Sequence, residues 1–194
     1  MVTHLARAWG ERIAQPIARL LNMVGLTPNT VTVIGFVLTG CVAIILATGR
    51  LQLAGVLLIV TLGADALDGV LARQTGQVTR FGAFLDSTLD RWAEAVVYGA
   101  LVWHYLQVDQ DVAVLLATAA MGTSLLVSYT RARAEGVGLV CKEGILTRFE
   151  RMVILIGGLI LDLAVWALWV IAIVAGLTAI QRIWVTWQAD RRSR

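Results

Sequence analysis

Apolar residues fall into six long blocks separated by short polar stretches, at about 30–49, 52–72, 83–107, 111–134, 146–161 and 163–187. A bilayer core about 30 Å thick needs roughly 20 apolar residues per helix, so each block is expected to cross a membrane. Met152 to Ile180 is almost continuously apolar and too long for one span, and Asp162 is its only polar break. A tight turn is predicted there. Ahead of the first block, Leu5, Trp9, Ile13, Ile17, Leu20 and Val24 recur at helical spacing, with Arg7, Glu11, Arg12, Gln15 and Arg19 opposite them. Residues 1–25 therefore read as an amphipathic helix lying in the membrane interface and bent at Pro16. A partner-binding helix is the alternative. They lack the charged start, apolar core and small-residue cleavage site of a signal peptide. Thr27-Pro28-Asn29 breaks this helix, with Asn29 the expected N-cap of the first span. The predicted fold is all-α: an interfacial helix over 1–25 and a six-span membrane domain over 26–194.

Composition agrees. The chain has 194 residues, 58% of them hydrophobic, and a mean hydropathy of +0.78, far from a water-soluble domain. Charge fixes the orientation. With both termini cytoplasmic, all sixteen Lys and Arg except Arg50 fall on the inner side, while Asp109, Asp111 and Asp162 lie on outer turns. Trp103, Trp166 and Trp169 then mark the outer interface, and Trp9, Trp184 and Trp187 the inner one. The net charge of +3 suits anionic headgroups and phosphorylated substrates. Nucleic acid is not indicated, because the cations are split between loops rather than gathered in a stripe. Cys41 and Cys141 lie on different elements and are expected to be unpaired thiols.

The chemistry is concentrated at Asp65-Ala-Leu-Asp68-Gly69-Val-Leu-Ala72-Arg73 and Gly82-Ala-Phe-Leu-Asp86-Ser-Thr-Leu-Asp90. An ionised Asp in hydrocarbon survives only when paired, metal-bound or facing a polar cavity. Asp65 and Asp68 (i, i+3) share a helix face, as do Asp86 and Asp90 (i, i+4). The polar turn 73–80 permits an antiparallel pair that brings all four together. Four converging carboxylates repel one another unless cations sit between them. Gly69 and Gly82 admit a bulky ligand close to the backbone, and Arg73 supplies a charge suited to phosphate. Together they describe a site for a metal-bound phosphate or pyrophosphate, with magnesium sharing its shell between carboxylates and substrate. Two such ions can stabilise the attacking and leaving oxygens of a phosphoryl displacement. The competing reading is a cation transporter using the Asp cluster, which has no need of the Gly and Arg positions.

Asp68-Gly69-x2-Ala72-Arg73-x8-Gly82-x3-Asp86-x3-Asp90 resembles the signature of the CDP-alcohol phosphatidyltransferase family at every fixed position. Asp65 matches an additional Asp that many members carry. The resemblance implies transfer of a phosphatidyl group from CDP-diacylglycerol to an alcohol, with release of CMP and a requirement for magnesium or manganese. It implies that Asp65, Asp68 and Asp86 hold the metals. Asp90 would complete the cluster and act as general base, and Gly69, Ala72, Arg73, Thr79 and Gly82 would line the cytidine-diphosphate pocket. It further implies a homodimer in the cell membrane, with the active site on the cytoplasmic side.

For the acceptor, Ser128-Tyr129-Thr130-Arg131-Ala132-Arg133-Ala134-Glu135, Arg148-Phe149-Glu150-Arg151 and Gln181-Arg182 are informative. Arg131, Arg148, Arg151 and Arg182 can together receive the phosphate dianion of an alcohol phosphate. The plainer alternative is positive-inside anchoring and headgroup contact. These segments resemble the phosphatidylinositol-phosphate synthase branch of the family, in which Ser128, Arg131, Arg151 and Arg182 would match the acceptor-phosphate positions. Arg131 stands where that branch has Lys, Phe149 where it has Pro, and Asn29 where it commonly has Asp. Inositol phosphate is the favoured acceptor, and glycerol 3-phosphate the alternative. Glu94, one turn beyond Asp90, is expected to pair with a neighbouring cation or to line the polar cavity.

Overall fold

The structure, a computed structural model, describes residues 15–139, 141 and 144–193. Among them all regular secondary structure is helical. The helices are α1 (15–23), α2 (Pro28–Ala47), α3 (Leu51–Thr75), α4 (Arg80–Gln107), α5 (Asp111–Gly136), α6 (Arg148–Ile160) and α7 (Ala164–Ser193). A helix stands at each of the six apolar blocks. Pro28–Ala47, Leu51–Thr75, Asp111–Gly136 and Ala164–Arg191 are the four long and apolar enough to cross a membrane among the described residues. The other two fall short of the six-span expectation for different reasons. The first half of α4 carries Asp86, Asp90, Arg91 and Glu94. Helix α6 has 13 residues, roughly 20 Å at the helical rise, less than the hydrocarbon thickness. Large apolar side chains such as Val37, Leu38 and Ile44 on α2 and Ile173, Leu177 and Ile180 on α7 are exposed. Surface of that kind belongs in lipid, and the chain is a membrane protein.

The chain divides into two compact units. The first joins residues up to Val42 with Leu57–Ala93. Ala18 of α1, Val31 of α2 and Val70 and Leu71 of α3 form its buried core, with Leu21, Leu26 and Leu67 against it. Of the expected interfacial helix, Leu5, Trp9 and Ile13 lie outside the described residues, as does the turn before Pro16 in which the bend is expected. Ile17, Leu20 and Val24 are exposed, so the described part turns Ala18 and Leu21 to the protein and these three outward. Helix α1 ends on Gly25 at φ +80°, where Leu26 N–H donates to Leu21 O at 3.1 Å, a glycine-terminated Schellman closure. Thr27, not Asn29, caps α2: its Oγ1 accepts from Thr30 N–H at 3.2 Å. Pro28 takes the first helical position, where its fixed φ and missing N–H cost nothing, and this moves Asn29 inside the helix.

The second unit joins Ala43–Val56 with the chain from Glu94 onward. Helix α5 packs on α7, where Val127 is buried with Ala175 and Ala179, and α6 also packs on α7. Small residues at this seam let backbones approach where no hydrophobic effect drives association. Thr147 and Glu150 form a capping box at the start of α6, Glu150 accepting from Thr147 N–H at 2.7 Å. The predicted turn is present at 161–163, with Asp162 at φ +59° and Leu163 N–H bonded to Gly158 O at 2.7 Å.

Candidate active site

In the first unit, α3 ends on Gly76 at φ +67°, with Gln77 N–H donating to Ala72 O at 3.0 Å. Thr79 caps α4, its Oγ1 accepting from Gly82 N–H at 2.9 Å. This short connection doubles α4 back along α3. A cavity of about 320 Å³ results, whose walls include Asp68, Gly69, Ala72 and Arg73 from one helix and Thr79, Gly82, Ala83 and Asp86 from the other. Pro28, Asn29 and Thr32 of α2 close a third side. Two carboxylates, an Arg and two glycines meet on one wall set, as the motif spacing led one to expect.

The glycines have physical work to do. A Cβ at Gly82 would stand 3.0 Å from Thr79 Oγ1 and 3.1 Å from Asn29 Oδ1. At Gly69 it would stand 3.4 Å from an Arg73 guanidinium nitrogen. Asp68 is buried, and Thr32 donates to its Oδ2 at 2.6 Å. Asp86 and Asp65 both act electrostatically on Asp68. Asp65 is not on the cavity wall; its Oδ1 lies 3.6 Å from where a Cβ at Gly35 would be, so the glycine lets this carboxylate approach α2. Asp90 is also off the wall, with Oδ2 3.6 Å from Arg91 Nη1 and its side chain 16% exposed.

Among the described residues, no three His, Cys, Asp or Glu side chains are gathered tightly enough to hold a metal ion. Of the four carboxylates expected together, Asp68 and Asp86 share the cavity wall, and Thr32 donates to Asp68 from α2. The donor set still fits a hard divalent cation: carboxylate oxygens, a hydroxyl behind one of them, and room for a phosphate beside them. Thr32 and Asn29 are cavity residues that sequence reasoning missed. A Thr one turn into an apolar span, after Thr-Pro, was the available signal for the first.

The acceptor residues all fall in the second unit, and the structure treats them unequally. Arg151 is fully buried, its Nε and Nη2 each donating at 2.8 Å to the two carboxylate oxygens of Glu94, itself 2% exposed. Its Nη1 reaches Leu146 O at 3.4 Å. Its charge is thus matched by Glu94, in a place where an unmatched charge would be costly. The expectation that Glu94 pairs with a cation holds. Arg182 is also buried, and donates from Nη1 to Val127 O. It interacts electrostatically with Arg131 and Arg151. Arg131 is half exposed and bonds Glu135 through Nε at 2.9 Å. Ser128 lies one turn before Ala132 on the same helix and is half-buried, while Arg148 opens α6. Cys41 and Cys141 are free, as expected.

Comparison with known proteins bears on the whole chain. Residues 25–186 match the sequence family described as CDP-alcohol phosphatidyltransferase. The phosphatidylinositol phosphate synthase of Mycobacterium marinum is 35% identical over 94% of this chain and 83% of its own length. The crystal structure of Mycobacterium tuberculosis phosphatidylinositol phosphate synthase with CDP-DAG bound superposes with a TM-score of 0.85 at 33% identity, over 91% of this chain and 94% of that one. The same enzyme in complex with manganese and citrate gives 0.85 at 32% identity, over 90% and 88%.

Proposed function

Since the chain belongs to the CDP-alcohol phosphatidyltransferase family, we propose that it transfers the phosphatidyl group of CDP-diacylglycerol to inositol phosphate, releasing CMP. The observation that carries this reading is the cavity walled by Asp68, Gly69, Ala72, Arg73, Thr79, Gly82 and Asp86. It supplies, within one unit, small residues and a cation for a diphosphate beside carboxylates for its counter-ions. The similarity to a synthase crystallised with CDP-DAG, and with manganese, supports the same assignment.

In this reading Asp65, Asp68 and Asp86, with Asp90 at the edge of the group, hold two magnesium or manganese ions. Ions so held draw negative charge off the diphosphate oxygens. Gly69, Ala72, Arg73, Thr79 and Gly82 bind the cytidine diphosphate. Asp90, one turn after Asp86 on the same face of α4, accepts the proton of the acceptor hydroxyl. That oxygen forms a bond to the lipid-side phosphorus, and the bond from this phosphorus to the bridging oxygen breaks. CMP leaves with the electron pair. Ser128, Arg131, Arg148 and Arg182 receive the acceptor's phosphate, and Arg151 with Glu94 frames them.

The charge distribution supports a cytoplasmic active site in a multi-pass protein of the cell membrane. In this reading α2 to α7 make six crossings, α1 lies in the interface, and two copies form a homodimer. The test is CMP release by the purified protein from labelled CDP-diacylglycerol, with inositol phosphate, glycerol 3-phosphate, inositol and serine in parallel. Preference for inositol phosphate is expected. Preference for glycerol 3-phosphate would reassign the acceptor, and preference for an uncharged alcohol would sink the phosphate pocket. Near-normal turnover in Asp90→Asn would remove the general base.

A further inference from the structure

The surroundings of Gly144 call for a residue without a side chain. A Cβ at residue 144 would stand 2.9 Å from Arg182 Nη2, 3.0 Å from Nε and 3.3 Å from Cζ. Ordinary contacts between such atoms are about 3.5–4.0 Å. The two nitrogens are nearer than the carbon joining them, so the added atom would abut the edge of the guanidinium rather than slide over its face.

We propose that Gly144 is a positioning residue for acceptor recognition: the absence of a side chain at 144 lets the Arg182 guanidinium occupy its place. This rests on Arg182 being a ligand of the acceptor's phosphate. Arg182 is held on another side by its bond to Val127 O. The loop after Gly144 is anchored by Leu146, buried with Val127, Ala175 and Ala179. Between an anchored backbone and the far end of a long side chain, the side chain yields. A methyl group at 144 therefore moves the guanidinium and leaves the helices in place. Its effect falls on phosphate recognition rather than on folding, and displacements on the order of 1 Å at a positioning group can cost up to about a hundredfold. Among the described residues the charged and titratable groups acting on Arg182 include Cys141, Arg131, Arg151 and Glu135, so the displaced guanidinium would also meet a changed field.

The experiment compares Gly144→Ala, Arg182→Lys and the double variant by KM for inositol phosphate and for CDP-diacylglycerol, with thermal unfolding of each. Gly144→Ala is expected to raise the inositol phosphate KM about tenfold while leaving the CDP-diacylglycerol KM and the unfolding temperature unchanged. The double variant should be no worse than Arg182→Lys alone, because the methyl group acts only through the guanidinium. An unchanged acceptor KM in Gly144→Ala, additive effects in the double variant, or loss of fold in Gly144→Ala would each overturn the proposal while leaving the acceptor assignment standing. An unchanged acceptor KM in Arg182→Lys would overturn that assignment as well.

Discussion

Glu94→Leu is expected to destabilise the protein by about 3–5 kcal/mol, the usual cost of stranding one member of a buried ion pair. A second route gives a similar size. The pair is joined by two hydrogen bonds of 2.8 Å, and charge-assisted bonds contribute about 1.5–3 kcal/mol each. Solvent screening offers no discount, because Arg151 is 0% and Glu94 2% exposed. Arg151→Leu should cost about the same for the mirror reason. The double variant Glu94→Leu/Arg151→Leu should recover most of the loss, since a well-packed apolar pair often replaces a buried ion pair at little cost. Unfolding of the detergent-solubilised protein by denaturant, read by tryptophan fluorescence, gives the three values. Single-variant losses below about 1 kcal/mol, or a double variant as unstable as the sum of the singles, would refute this account of the pair. The same double variant tests the part that Arg151 plays in acceptor recognition. If Arg151 frames rather than binds, the folded double variant keeps its KM for inositol phosphate within about threefold.

Other consequences can be measured directly. Thr32→Val removes the donor at 2.6 Å from Asp68 Oδ2 and should weaken manganese binding about 10–100-fold, measured by electron paramagnetic resonance titration. Gly82→Ala places a methyl group 3.0 Å from Thr79 Oγ1 and 3.1 Å from Asn29 Oδ1; the KM for CDP-diacylglycerol should rise with the unfolding midpoint little changed. Chelation should abolish CMP release and added magnesium or manganese restore it, whereas release that persists after exhaustive chelation would remove the metals from the reaction. Thr79→Ala forfeits the cap on α4 and should cost about 1 kcal/mol of stability.

The helices were legible because apolar length and polar punctuation are local properties. Asp162 marked a turn for that reason, and Gly76 with Thr79 made the reversal that Arg73–Arg80 suggested. Motif spacing also pointed to the cavity between α3 and α4, since i, i+3 and i, i+4 relations survive intact in a helix. Pairings across the chain were less legible. Arg151 looked like one more cation at the inner edge, and only the fold reveals that Glu94, 57 residues away, takes the Nε and Nη2 edge of its guanidinium. Thr32 is similar: its partner Asp68 is 36 residues on, and a hydroxyl in an apolar span has many possible uses. Asn29 was misread as a cap because Asn and Thr are both good caps, and Pro28 decides between them by claiming the first helical position.

The ordering of Glu94 and Arg151 along the chain also matters to how the protein is made. Glu94 leaves the ribosome first, and at about 5–20 residues per second the 57-residue interval takes roughly 3–11 s. During that time the acidic half of α4 has no Arg151 to answer it. If α4 crosses the membrane as the six-span reading has it, its integration is expected to wait for α6, and nascent chains truncated before Arg151 should leave α4 at the translocon rather than in lipid.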